Sequence, residues 1–229
     1  MPSIHCAGVR HVYPNNVVAL NGVNLELGTG ITGVVGLNGV GKSTLLGILL
    51  GALEPTAGSV LIDGMPPNVY RATHGVGYVA EGTRFEGHLR VAEFLDGLAE
   101  LCSAPVYETF GTESLADRRL DQLSQGQRRR VEIAAALIGG VALLLLDEPT
   151  NGLDPIALRE LREILLSLRR PGVSVIISSH HLDELERIVD RVVLMTRGAI
   201  DAVYTRDELL ARYGSFDAFA ARLSAGESA

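Results

Sequence analysis

Apolar and polar residues alternate along the first part of the chain. Ile4 to Tyr13, Val17 to Leu20 and Val23 to Leu27 are short β-type runs, and turn signals at Pro14-Asn15-Asn16 and Asn21-Gly22 separate them. Together they predict an antiparallel edge sheet. From Gly30 the pattern changes. Gly30 to Val35 is a short apolar strand, Gly36 to Gly41 a glycine-rich loop, and Lys42 to Leu50 a helix stopped by Gly51 and Pro55. Val60 to Ile62 and Val76 to Val79 predict two more strands, with the turn-prone Asp63-Gly64-Met65-Pro66-Pro67 after the first of them. Leu89 to Leu101 is helical by its apolar spacing, and short helices are expected from there to about Arg119. The second half then predicts a helix over Gln127 to Ile138, a strand over Val141 to Leu146, a helix over Pro155 to Arg169 and a strand over Val173 to Ser178. Asp154 and Pro155 are a favoured opening for the second of these helices. A helix from Leu182 to Val189, a hairpin at Thr196-Arg197-Gly198, a helix from Asp207 to Tyr213, a short C-terminal helix and a loose tail over Ser224 to Ala229 complete the reading.

Apolar runs this continuous belong to strands covered on both faces, as in a parallel sheet between helices. That accounts for a 47% hydrophobic composition and a mean hydropathy of +0.23 without a membrane span. The longest charge-free stretch outside the glycine loops, Ile133 to Leu146, is shorter than the roughly 18 residues a span needs. The 229 residues carry 20 Lys and Arg against 27 Asp and Glu, a net charge of −7, which weighs against a nucleic-acid partner. Cys6 and Cys102 lie far apart with no CxxC spacing, so neither a zinc site nor a disulfide framework is expected, and the start of the chain has no signal-peptide pattern. A reducing cytoplasm is the expected compartment.

The chemistry is concentrated in a few segments. Gly36-Leu37-Asn38-Gly39-Val40-Gly41-Lys42-Ser43-Thr44 matches the phosphate-binding pattern GxxxxGK[ST], and it lies between a predicted strand and a predicted helix as the mechanism requires. Glycines let backbone N–H groups point at a phosphate, and the helix adds its positive end. Lys42 reaches the outer phosphates and Ser43 ligates Mg²⁺. Val141 to Leu146 runs into Asp147 and Glu148, which should emerge beside that loop, because ligands of open α/β sheets gather beyond the strand C-termini. Asp147 is expected to hold the Mg²⁺ shell, and Glu148 to polarise an attacking water.

Leu123-Ser124-Gln125-Gly126-Gln127 opens the helix upstream of that strand. Read alone, Ser124 with Gln127 three residues on is a capping box, in which case an acidic side chain at 126 is tolerated in the first helical turn. With the glycine loop and the paired carboxylates, however, LSQGQ resembles the LSGGQ signature of the ATP-binding cassette family, the nucleotide-binding subunits of ABC transporters. The resemblance spans about Ile4 to Ile200. It implies an α/β P-loop NTPase of the ABC type with a mainly parallel sheet core flanked by helices, an antiparallel N-terminal β subdomain and a helical insertion. In these terms residues 1–229 form one ABC ATPase domain, with an ATPase core over 1–81 and 124–229 and a helical subdomain over 82–123.

The same resemblance implies roles for further residues. Asn151-Gly152-Leu153-Asp154 corresponds to the family's D-loop, with Asp154 near the nucleotide, and His180, ahead of His181, to its switch histidine, which bonds the γ-phosphate and the lytic water. Tyr13 corresponds to the aromatic residue that stacks on adenine, although a strand tyrosine is equally a core residue. Ser124, Gln125, Gly126 and Gln127 would contact the ATP of a second subunit, so that two cassettes close head to tail on ATP and Mg²⁺. An integral membrane permease is the implied partner, and the cytoplasmic face of the membrane the implied location. Two features depart from the usual pattern. Glu81 stands where the family has a glutamine, as a candidate for the Mg²⁺ shell, and the segment from Gly82 to Leu123 is short. Both resemble exporter-type cassettes. Arg128-Arg129-Arg130, the one basic run, is expected to face solvent or the dimer interface.

Overall fold

The computed structural model describes residues 2–83, 87–104 and 110–224, apart from the side chains of 182–183 and 223–224. Two sheets organise it. The first is antiparallel: β1 (Ile4–Val12) lies between β2 (Val18–Leu27) and β4 (Ala57–Ile62). Asn21-Gly22, expected as a turn, lies inside β2, since Val9 pairs with Val23 while Arg10 pairs with Asn21. The extra residue is a β-bulge, which Gly22 accommodates at φ 78°. The bulged strand reaches the other sheet, where the Asn21 N–H donates to Gly198 O at 2.8 Å.

The second sheet has the order β5-β6-β7-β3-β8-β9. β3 (Gly30–Val35), β5 (Gly77–Val79), β6 (Leu143–Asp147), β7 (Ser174–Ser179) and β8 (Arg191–Thr196) run parallel, and β9 (Ala199–Thr205) returns antiparallel through the Arg197-Gly198 turn. β3 and β7 carry almost only buried residues, as strands covered on both faces should. On one face α1 (Lys42–Leu49) buries Leu45, Leu46, Ile48 and Leu49 between the two sheets. On the other lie α4 (Gln125–Ala136), α5 (Pro155–Ser167), α6 (Leu182–Leu185), α7 (Arg206–Tyr213) and α8 (Phe216–Ser224). The helix expected to run to Val189 ends at Leu185. No helix among the described residues is long and apolar enough to cross a membrane.

α2 (Pro67–His74) begins inside the stretch read as a turn; Pro67 sits at its first position, where a missing N–H costs nothing, and Tyr70 is its buried anchor. α3 (Val91–Leu101) and two 3-10 turns, Thr112–Leu115 and Leu120–Gln122, form a small core of Val91, Leu95, Leu115 and Leu120 against Val131, Ala134 and Ile138. α4 thereby belongs to two cores, because its Ile133 packs toward the parallel sheet. Residues 105–109, within the stretch expected to hold short helices, and the tail from 225 lie outside the described residues.

Candidate active site

The glycine loop joins the central strand β3 to α1, and its ends are set by close backbone approaches. A Cβ at Gly36 would stand 2.5 Å from Met195 O, and one at Gly41 2.4 Å from Ala19 O at a φ of 106°. Only glycine fits either place. Gly41 caps α1 without any side-chain hydrogen bond, so the N–H groups of Lys42, Ser43 and Thr44 have no side-chain cap. Leu37, Asn38, Gly39 and Ser43 are exposed, Val40 is half-buried, and Lys42 and Thr44 are buried. This is a set of backbone donors at a helix N-terminus, with a hydroxyl at its mouth. Tyr13, half-buried, makes a hydroxyl contact with Thr44 Oγ1 at 3.1 Å and meets His11 edge to face.

Lys42 closes the loop on itself. Its ammonium donates to Gly36 O at 2.8 Å and to Leu37 O at 3.3 Å, and it lies 3.1 Å from Glu148 Oε1. That last contact is an ion pair without hydrogen-bond geometry, which leaves Glu148 Oε1 buried with no hydrogen-bond partner. The other carboxylate oxygen, Oε2, accepts from the His180 backbone N–H at 3.3 Å and meets His180 Nδ1 at 2.9 Å. Lys42, Glu148 and His180 therefore form one chain of contacts at the C-terminal ends of β6 and β7. The His181 ring lies 3.9 Å from that of His180, tilted by 43° to it.

Glu148 is held in the left-handed region at φ 46°, uncommon for a residue with a side chain. Its N–H donates to Ser178 Oγ at 2.9 Å, and the same hydroxyl donates to Asp147 Oδ1 at 2.5 Å. Burial, and then the negative charge of Asp147, push the Tyr78 hydroxyl up from its ordinary range. The donor set suits ATP and Mg²⁺: the buried Lys42 ammonium and the uncapped N–H groups of α1 offer donors to phosphate oxygens, and the hydroxyl of Ser43 with the carboxylate of Asp147 are hard oxygens of the kind Mg²⁺ takes.

The signature segment lies elsewhere on the chain. Ser124 caps α4, accepting from the Gln127 N–H at 3.3 Å, while Gln127 Oε1 accepts from the Ser124 N–H at 3.2 Å, a complete capping box. Gly126 packs against α5, and a Cβ on it would stand 2.5 Å from the Cβ of Ala157. That overturns the expectation that a helix cap tolerates an acidic side chain at 126, because any side chain there meets Ala157. Gln125 sits against Gly152, where a Cβ would stand 2.8 Å from Gln125 Oε1. Asp154 Oδ1 accepts from the N–H groups of Ile156 and Ala157, both at 2.9 Å, and so caps α5.

The arginine run is not a solvated face. Arg129 is buried and pairs with Glu132 at 2.7 Å, and Arg130 pairs with Glu160 of α5 at 2.5 Å. Burial raises the Glu132 carboxyl above its usual range, and the charges of Arg129 and Arg128 pull it partly back. Next to that pair lies a cavity of about 310 Å³ lined by Glu81, Gln125, Arg128 and Asn151 among others. Exposed Glu81 accepts from Asn151 Nδ2 at 3.0 Å, so the glutamate in the glutamine position ties its loop to the Asn151-Gly152 turn. The fold thus brings Lys42, Asp147, Glu148 and His180 together, while Ser124 and Gln127 cap α4, Gly126 meets α5 and Gln125 meets that turn. Sequence reading missed Ser178, since it stands as the last residue of an apolar strand.

This architecture and phosphate loop are those of an ATP-binding cassette. The chain belongs to the ABC transporter family, whose sequence profile matches residues 20–151. An uncharacterized ABC transporter ATP-binding protein of Nostoc is 36% identical over 214 residues, 87% of this chain and 64% of that protein. The lantibiotic transport ATP-binding protein SrtF of Streptococcus pyogenes is 36% identical over 188 residues, covering 79% of this chain and 82% of SrtF. The daunorubicin/doxorubicin resistance ATP-binding protein DrrA of Streptomyces peucetius is 33% identical over 93% of this chain and 68% of its own length. Among solved structures, cbiO1 of Clostridium perfringens, part of the ABC transporter complex cbiONQ, superposes with a TM-score of 0.76 at 27% identity, covering 91% of this chain and 90% of cbiO1.

Proposed function

We propose that this chain is the ATP-hydrolysing subunit of an ABC exporter, docked at the cytoplasmic face of the membrane on a separate integral permease. The observation that carries the reading is the Lys42–Glu148–His180 contact chain at the mouth of the glycine loop. Lys42 and the N–H groups of 36–44 bind the phosphates of ATP. Lys42 exchanges its Glu148 partner for the outer phosphates, and this frees Glu148 Oε1 to accept a proton from the lytic water. His180 keeps Oε2 in place through its N–H and Nδ1, which orients the base, and its other ring nitrogen is directed to the γ-phosphate. Ser43 and Asp147 would hold Mg²⁺, which when bound supplies Lewis-acid charge to the phosphate oxygens, and Glu81, held by Asn151, is the further carboxylate candidate for that shell.

Tyr13 would stack on the adenine base. Ser124, Gln125, Gly126 and Gln127, with Asp154, face the ATP of a second cassette in a head-to-tail sandwich, since the capped N-terminus of α4 is an anion-binding end. SrtF and DrrA, by their names a lantibiotic transport and a drug-resistance protein, support export. Steady-state phosphate release tests the reading. Glu148→Gln should be at least ~10²-fold slower than wild type, as expected when a positioned base is lost, and His180→Ala should also be slowed. Wild-type turnover in Glu148→Gln rejects the assignment.

A further inference from the structure

Asp147 and Ser178 stand opposite each other in the parallel pairing of β6 with β7. Ser178 is fully buried, and its one hydroxyl serves two groups: it donates to Asp147 Oδ1 at 2.5 Å and accepts the Glu148 N–H at 2.9 Å. A hydroxyl has one proton and two lone pairs, so it fills both roles at once, and an ionised carboxylate fixes which way the proton points. Glu148 N–H belongs to the left-handed residue at φ 46°, a conformation that persists only when its surroundings hold it. Ser179, next along the strand, points to the opposite face and bonds only the backbone of His181 among its described contacts.

We propose that Ser178 is a positioning residue for ATP hydrolysis. Its hydroxyl turns the Asp147 carboxylate so that Oδ2 is left for the metal, and it pins the Glu148 backbone so that the Glu148 carboxylate meets Lys42 and His180. The proposal rests on the reading of Asp147 and Glu148 as the metal-holding and base carboxylates. It assigns to one buried hydroxyl the relative placement of the two strand-end acids, which parallel strand pairing alone leaves free to rotate about their side-chain bonds.

The test compares Ser178→Ala and Ser178→Thr with wild type and Glu148→Gln. Phosphate release is measured alongside fluorescence titration of a labelled ATP, with and without Mg²⁺. In Ser178→Ala, turnover should fall ~10–100-fold and the Mg²⁺ concentration needed for half-maximal binding should rise about 10-fold, the range typical when a partner of a metal ligand is lost. Binding of labelled ATP without Mg²⁺ should be unchanged, and Ser178→Thr, which keeps the hydroxyl, should restore both properties. Wild-type turnover and Mg²⁺ demand in Ser178→Ala, beside an inactive Glu148→Gln, overturn the proposal and leave the active-site reading standing. A folded Ser178→Thr as slow as Ser178→Ala also overturns it. Wild-type turnover in Glu148→Gln removes the active-site reading, and this inference with it. If Ser178→Ala does not fold, Ser178→Cys takes its place under the same outcomes, since a thiol keeps the volume and gives up most of the hydrogen-bonding strength.

Discussion

Replacing Lys42 with alanine should do more than weaken ATP binding. The lysine side chain is about 5% exposed, and its ammonium donates to two carbonyls, Gly36 O at 2.8 Å and Leu37 O at 3.3 Å, and is the counter-charge of Glu148 Oε1 at 3.1 Å. Its loss leaves the buried Glu148 carboxylate without its counter-charge, a change that costs about 3–5 kcal/mol when a buried ion pair is broken from one side. The carboxylate keeps two contacts to His180 through Oε2, so a loss of about 2–4 kcal/mol is expected. The fold should survive, because domains of this kind start from roughly 5–15 kcal/mol. Neutralising the orphan should recover part of the loss, so the double variant Lys42→Ala/Glu148→Gln should be at least ~1 kcal/mol more stable than the sum of the single losses. Urea unfolding followed by circular dichroism in ATP-free buffer measures both quantities, and titration with labelled ATP on the same preparations should show binding abolished. A Lys42→Ala protein as stable as wild type, or a strictly additive pair, would refute the idea that Lys42 and Glu148 hold each other.

Two further outcomes are expected. Gly126→Ala gains up to ~1 kcal/mol of helix propensity and loses ~1–3 kcal/mol to overpacking against Ala157, so it should be destabilised by about 1 kcal/mol, with the loss recovered in Gly126→Ala/Ala157→Gly; a more stable Gly126→Ala would show that the close contact of α4 with α5 is wrong. Burial pushes the Cys6 thiol from its ordinary 9.0 up to about 12. The unfolded chain therefore loses that proton first, and stability should fall with rising pH from 9 until the loss levels off near 12, at about 1.4 kcal/mol per pH unit; denaturation of Cys6→Ala should lack this component, and an unchanged pH slope would contradict it.

Much of the site was legible because its chemistry is written in short contiguous motifs. The glycine loop, the apolar strand ending in Asp147-Glu148 and His180 at the end of the next strand each carry their context with them, and a strand-then-carboxylate pattern says where the carboxylate emerges. Other features depend on contacts distant in sequence. Asn21-Gly22 has turn composition but is a bulge in a continuous strand, because Arg10 and Val9 of the neighbouring strand supply the pairing. Asp63 to Pro67 has the same composition, and there Pro67 opens α2, since proline suits a first helical position as well as a turn. The basic run is not the solvated face that was one of its two readings, because Glu132 lies one helical turn on and Glu160 comes from another helix. Ser178 and the packing of Gly126 on Ala157 depend on which strand or helix lies alongside, and a single sequence records that only indirectly.

The most direct test of the account is the mass of the Glu148→Gln protein in ATP. Sedimentation velocity with Mg²⁺ and ATP should show the 24.4 kDa chain shifting to a dimer that retains unhydrolysed ATP at both sites, while the same protein without nucleotide remains monomeric. A Glu148→Gln protein that stays monomeric in saturating ATP would contradict the head-to-tail sandwich, and one that releases phosphate at the wild-type rate would contradict Glu148 as its catalytic base.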